Sequence, residues 1–213
     1  MSAKRPRFST WVIWSSLTKH QRFSPIPKIH AQKATSRAEL DNPFALEGAV
    51  MNTNEHIVSA FDRDLEGIQA MIMKMGGLVE DSINKSVLAL DTRDPELADL
   101  VRKGDAAIDA LETQVNEEAA RILALRAPTA SDLRTVLSVF RVSTNLERIG
   151  DYSKNIAKRS HAVIEQPPID GATASLRRMA REVELMLKDV LDAYIQRDIG
   201  MAEDVRERDL EID

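Results

Sequence analysis

The feature that most constrains this chain is a repeat. Sliding the sequence by 104 residues aligns 72–109 with 176–213 without a gap, and 12 of the 38 positions are identical. Among these are Met75/Met179, Val79/Val183, Ala89/Ala193, Arg93/Arg197, Asp94/Asp198, Ala98/Ala202, Asp105/Asp209 and Asp109/Asp213. Self-similarity over that length marks a supersecondary unit that buries its apolar faces only against neighbouring elements.

Periodicity says what the unit is made of. Ile57, Phe61, Leu65, Ile68, Ile72, Met75, Val79, Ile83 and Val87 recur at steps of three and four, the stripe of an amphipathic helix reaching about Leu90. "TRDPEL" then stops and restarts the chain, with Asp94 as N-cap, Pro95 at the first helical position and Glu96 in the first turn. The second helix extends to about Leu125. "RAPTASDLR" opens a third that runs to about Ile164, with Thr129 and Asp132 at capping-box spacing. After "EQPPIDGATAS" a fourth helix is expected to reach Arg197, and a fifth starts near "DIGMAED". The unit is therefore three helices, and the second copy holds its first helix and less than half of its second. The expectation is an all-α protein of tandem three-helix bundles, the first over 54–166 and a truncated second over 171–213. Gly76-Gly77 costs about 1 kcal/mol per glycine relative to alanine inside a helix, so a kink or a close helix contact is expected there. Met71, Met73, Met75, Met179 and Met186 read as core filler.

Residues 1–50 differ in kind. They carry eight Lys/Arg against three Asp/Glu, which leaves 21 against 31 for residues 51–213. The apolar run "FSTWVIWSSL" is broken by Ser and Thr, lacks a small-x-small cleavage site and is too short to span a bilayer. The leader is read as disordered or spurious, with Met51 as the true start. The acidic body argues against nucleic-acid binding, which needs clustered Lys/Arg. No cysteine is present, which removes disulfides and thiolate zinc sites and suits a reducing cytoplasm. His20, His30, His56 and His161 show no ligand spacing.

Two acid pairs are candidate metal ligands. Glu147 and Asp151 lie four apart on the third helix, as Asp105 and Asp109 do on the second, so each pair projects from one helix face. At 100° per residue Glu147 and Asp151 continue the stripe of Leu133, Leu137, Phe140 and Thr144, while Asp105 shares the azimuth of Val101, Ile108 and Val115. If helices two and three form an antiparallel hairpin turning near 128–129, Asp105 stands beside Asp151 and Asp109 beside Glu147. Four converging carboxylates raise one another's pKa values, and a cation removes the cost. All-oxygen ligation selects Mg, Mn, Ca or Fe. The competing reading is a solvated network in which Glu147 and Asp109 pair with Arg148, Arg102 or Arg141. Arg134 either orients a carboxylate of the site or pairs with Asp132.

"PTASDLR" followed by "LERIGDYSKNIAKR", with "KMGGLVEDSI" and "GDAAIDALE" ahead of them, resembles the PhoU family of phosphate-transport accessory proteins. The match covers residues 54–213. The resemblance implies tandem three-helix bundles, a cytoplasmic homodimer and metal ions held by paired E(D)xxxD motifs. Carried onto this chain these are Asp105/Asp109 with Glu147/Asp151, and Asp209/Asp213 as half of an incomplete second cluster. It further implies negative regulation of the phosphate-starvation response and restraint of phosphate uptake, through the ATPase of a phosphate ABC transporter and a sensor histidine kinase, without membrane insertion. The family lacks the basic leader, and the second ERIGD-like motif is missing here. An enzyme is not expected: no Glu-x-x-His pair, Ser/His/Asp set or "GxxxxGK" loop occurs. The rivals are a purely structural helical adaptor and a non-functional fragment of such a regulator. With apolar faces lacking a lid, helix four and the stub of helix five are expected to pack on the first bundle, pair with another chain, or fray.

Overall fold

The computed structural model describes residues 50–167 and 171–212, so the leader ahead of Val50 and the terminal Asp213 lie outside the described residues. Five helices follow one another: α1 (Val50–Thr92), α2 (Pro95–Arg126), α3 (Ala130–Ile164), α4 (Ala172–Gln196) and α5 (Ile199–Ile212). No strand occurs among the described residues. α1, α2 and α3 each pack against the other two, α4 lies along α1, and α5 lies along α4.

From Leu65 to Val87 the apolar stripe read from α1 is buried. Ile68, Ile72, Met75, Val79 and Ile83 join Ile108, Leu111, Val115 and Ile122 of α2 and Val136, Val139, Val142 and Leu146 of α3 in one core. Burying each such aliphatic side chain contributes about 1.5–3 kcal/mol before conformational entropy is counted. Small residues complete α3's inner face, and their hydroxyls are satisfied within the helix. Ser143, Ser153 and Ser160 donate to the carbonyls of Phe140, Ile149 and Ile156 at 3.0, 3.2 and 3.0 Å.

The α3 stripe through Leu133 and Leu137 is corrected. Both residues are exposed, while Val136, Val139 and Val142, offset from them around the helix, are buried. α3 is flanked by two helices, and the core takes the arc between them.

At the α1–α2 junction Asp94 is the expected N-cap of α2: its Oδ1 accepts from the backbone N–H of Glu96 and Leu97 at 2.9 and 3.0 Å. Thr129 occupies the N-cap position of α3 but makes no side-chain cap hydrogen bond, so the expected capping box is not formed. Asp132, one methylene shorter than Glu, instead takes a 3.4 Å contact from Ser131 Oγ. Arg93 reaches across to the far end of α3, where its guanidinium donates to the carbonyls of Ile164 and Gln166, a favourable place for a cation.

The repeat is visible as geometry. Arg93 and Arg197 both adopt left-handed backbone (φ 56° and 55°). Asp94 N–H donates to the Ala89 carbonyl at 2.9 Å, and Asp198 N–H to the Ala193 carbonyl at 3.0 Å. Ala98 N–H and Ala202 N–H then reach the carbonyls of Asp94 and Asp198 at 3.2 Å each. The α1–α2 and α4–α5 corners are one structure built twice.

α1 runs unbroken through Gly76-Gly77, and the close-contact expectation applies to one of the two glycines. A Cβ on Gly76 would land on Leu191 Cδ1 of α4, whereas one on Gly77 would meet nothing within 4 Å. α4 thus packs on the first bundle at Gly76 and adds Met186, Leu187, Val190, Leu191 and Tyr194 to its core. Met75 and Met186 are core residues and Met71 and Met73 pack partly buried against them, but Met179, the repeat mate of Met75, is 48% exposed. The buried Tyr194 hydroxyl lies near Ser138 without a hydrogen bond of good geometry among the described residues, and burial pushes the phenol up to about 12.

Candidate functional site

The α2–α3 hairpin sets which acids meet. His161 Nε2 stands 3.2 Å from Asp99 Oδ1, Ser143 Oγ donates to Asn116 Oδ1 at 3.1 Å, and Thr144 Oγ1 donates to Glu112 Oε1 at 2.9 Å. Those cross-helix pairs put Asp105 level with 151–154 and Asp109 level with 147–151, so the four predicted carboxylates share one patch.

Gly150 makes the approach close. Its absent Cβ would meet Ile108 Cδ1 at 3.0 Å and Asp105 Oδ1 at 3.7 Å. A Cβ there would require the Ile108 side chain to give by a few tenths of an ångström at the level of the acids. Asp105 is 3% exposed on the apolar face of α2, as its azimuth with Val101, Ile108 and Val115 predicts. Glu147 and Asp151 are half-buried and Asp109 is exposed.

Crowding is recorded in the electrostatics. Glu147 is pushed up from its ordinary value to about 7, first by burial, then by the charges of Asp151 and Glu112, a hydrogen bond with Asp151 that favours the protonated acid, and the charge of Asp109. Asp109 is also raised, by burial first and then by Asp105, against an opposing pull from Lys154, with Asp151 and Glu112 adding to the rise. Glu112 belongs to this patch although the sequence argument did not include it. It sits one turn beyond Asp109, and an i, i+3 search from that residue would have found it.

The cation in the patch is also one the sequence argument missed. Lys154 Nζ donates to Asp105 Oδ2 and stands 3.5 Å from Asp151 Oδ1. These carboxylates hold the ammonium's pKa above its usual value, the hydrogen bond to Asp105 foremost. Two of the three arginines considered from sequence turn elsewhere: Arg102 to Asp99 at 2.9 Å and Arg148 to the Tyr152 hydroxyl at 3.2 Å. Arg134 is exposed and joined to neither candidate partner among the described residues.

In donor chemistry the patch offers a hard cation five carboxylates on two rigid helices, one nearly fully buried, with Glu147 raised to about 7 by burial first and by its acidic neighbours. In placement, no group of three or more acidic side chains among the described residues is gathered closely enough to hold an ion, and the ammonium of Lys154 engages Asp105 and Asp151. The second half-cluster is represented by Asp209, buried on α5; Asp213 lies outside the described residues. No described helix is long and apolar enough to cross a membrane.

Comparison with known proteins matches residues 72–160 and 176–213 to the PhoU domain. A phosphate-specific transport system accessory protein PhoU homolog of Caulobacter vibrioides is 39% identical over 159 residues, covering 75% of this chain and 69% of that protein. The accessory protein PhoU of Escherichia coli K12 is 36% identical over 163 residues, covering 76% and 67%. Among solved structures, PhoU from Pseudomonas aeruginosa superposes with a TM-score of 0.63 at 36% identity, over 66% of this chain and 68% of that one. The phosphate transport system regulatory protein PhoU from Streptococcus pneumoniae gives a TM-score of 0.64 at 32% identity, over 71% and 70%.

Proposed function

This chain belongs to the PhoU family, and we propose that it restrains phosphate uptake and the phosphate-starvation response as a cytoplasmic homodimer, acting on a phosphate transporter ATPase and a sensor kinase. At the coarser level it is an accessory and regulatory protein of phosphate transport, and its family is non-enzymatic. The observation that carries the proposal is the double family match across both copies of the repeat. A regulator of this kind works by presenting a surface, and the α2–α3 patch gathers the acids Asp109, Glu112, Glu147 and Asp151 with Lys154 on one such face.

In the proposal Asp105, Asp109, Glu147 and Asp151, with Glu112 beside them, hold one or more oxygen-loving cations. Such an ion supplies charge neutralisation: it lets five carboxylates remain ionised together and gives the α2–α3 face one defined shape for a partner. The residues' own contribution is to fix the donors on rigid helices, with Gly150 setting the distance between them. Asp209 is the donor that the second copy contributes on α5.

A second reading, a helical adaptor whose acids are neutralised internally without metal, is favoured by the place of Lys154 on Asp105. Elemental analysis of the purified chain separates the two. One or more Fe, Mn, Mg or Ca ions per chain, lost in the Asp105→Ala/Glu147→Ala variant with helicity retained, supports the metal reading; full metal content in that variant overturns the ligand assignment. The regulatory reading is tested by expressing the chain in a bacterium deleted for its own PhoU. Restored restraint of phosphate uptake is expected, and uptake unchanged from the deletion would refute it.

A further inference from the structure

We propose that the outer face of α3 is a docking strip for an acidic amphipathic helix of another protein, one whose carboxylates recur at four and seven residues. The inference deepens the regulatory reading above by naming the face a partner takes, and it needs no metal ion. α3 carries Arg134, Arg141, Arg148, Lys154, Lys158 and Arg159 against Asp132, Glu147 and Asp151, which makes it the one cationic helix among those described. Its neighbours α1 and α2 are acidic, with seven Asp/Glu each against three and four Lys/Arg.

Outward on α3, Leu137, Arg141, Arg148, Tyr152, Arg159 and Val163 are all exposed. Their steps of four and seven keep them within an arc of about 80° over a length of about 39 Å. The fold leaves the guanidiniums of this strip without acids. On α2 every arginine meets one, Arg102 on Asp99 at 2.9 Å and Arg121 and Arg126 on Asp64 at 3.2 and 3.0 Å. Arg141 and Arg159 have no ion pair among the described residues, and Arg148 donates to the neutral Tyr152 hydroxyl. A guanidinium fork takes a carboxylate by two hydrogen bonds, while Leu137, Tyr152 and Val163 supply apolar contact at helical spacing. The occupant must be narrow. Glu147 and Asp151 lie half-buried along the edge of α3 nearest Asp109 and Glu112 of α2, and they would repel the headgroups of an anionic bilayer broad enough to cover the strip. Residues 1–50, with eight Lys/Arg against three Asp/Glu, carry the wrong sign to occupy it.

The test uses the full chain in the bacterium deleted for its own PhoU, with the photo-crosslinking residue p-benzoylphenylalanine in place of Asn155, an exposed position on the same face. Irradiation followed by mass spectrometry is expected to join this position to a protein segment whose Asp/Glu recur at four and seven residues. The yield should fall at least about tenfold with Arg141→Glu/Arg159→Glu, which sets like charges against the partner, and largely survive Arg141→Lys/Arg159→Lys. Circular dichroism and urea unfolding check that both variants fold; where one does not, the segment joined in the parent chain decides alone. No adduct in the parent overturns the proposal, and so does an adduct with phospholipid, with a second copy of this chain or with a segment poor in acids. An adduct indifferent to the charge reversal overturns it equally. A parent chain that forms the acidic adduct yet leaves phosphate uptake unrestrained overturns the regulatory reading and leaves the docking face standing.

Discussion

The unit formed by α1, α2 and α3 and the pair formed by α4 and α5 begin with related sequence and repeat the same corner, yet they treat equivalent residues differently. Met75 is wholly buried and Met179 is 48% exposed. Asp105 and Asp209 are both buried, but Asp105 faces an α3 that brings Glu147, Asp151 and Lys154. The corner forms in both places because its hydrogen bonds are local, from Asp94 to Ala89 and from Asp198 to Ala193. Burial of a methionine depends on what lies opposite. Local chemistry is thus repeated along this chain, while tertiary environment is not.

The largest expected effect probes that contrast directly. Met75→Ala should cost about 2–5 kcal/mol, as truncation in a tight core does. Met179→Ala should stay within about 0.5 kcal/mol, as for an exposed site. Urea unfolding of the full chain measures both, and equal losses would break the comparison by showing that Met179 is packed in solution.

Next in size is a pH dependence belonging to the first unit alone. Glu147 titrates near 7 when folded against an ordinary 4.5, so between those values the native state binds more protons than the unfolded chain. Its contribution to stability is full below about 4.5 and is lost as pH rises through 7. For a half-buried group, discounted for solvent screening, the loss is on the order of 1–2 kcal/mol. Unfolding in EDTA across this range should show the slope in wild type and a flatter profile in Glu147→Gln. Identical profiles would remove Glu147 as the cause.

The smallest effect sharpens the resemblance of the two corners. Asp94→Ala should cost about 1 kcal/mol. Asp198→Ala should cost no more, because Asp198 Oδ1 accepts one cap hydrogen bond, from Met201 N–H at 3.1 Å, where Asp94 accepts two. Thermal unfolding followed by helicity would rank them; a larger loss at Asp198 contradicts the ordering.

Much of this was legible in the sequence, because helices joined by short corners obey local rules. The α1 stripe, the Asp94 cap and the level of Asp105 against Asp151 follow from spacing alone. Leu133 and Leu137 were misplaced, because azimuth arithmetic identifies a stripe without revealing which arc of α3 faces both neighbours. Lys154 escaped notice because a search for acids ignores the cation three residues further on, although "DYSK" places it on the same face. Gly150 reads in sequence as a weak spot in a helix, and its role shows only once Ile108 stands against it.

Gly76 carries a consequence for how relatives of this chain can differ. Because a side chain at position 76 would strike the end of the Leu191 side chain on α4, a larger residue there requires Leu191 to move or shrink. A substitution such as Gly76→Ala is admissible when Leu191 shrinks in the same chain. Across homologous sequences the two positions should therefore change as a pair, while position 77, with open space around it, should drift independently of position 191.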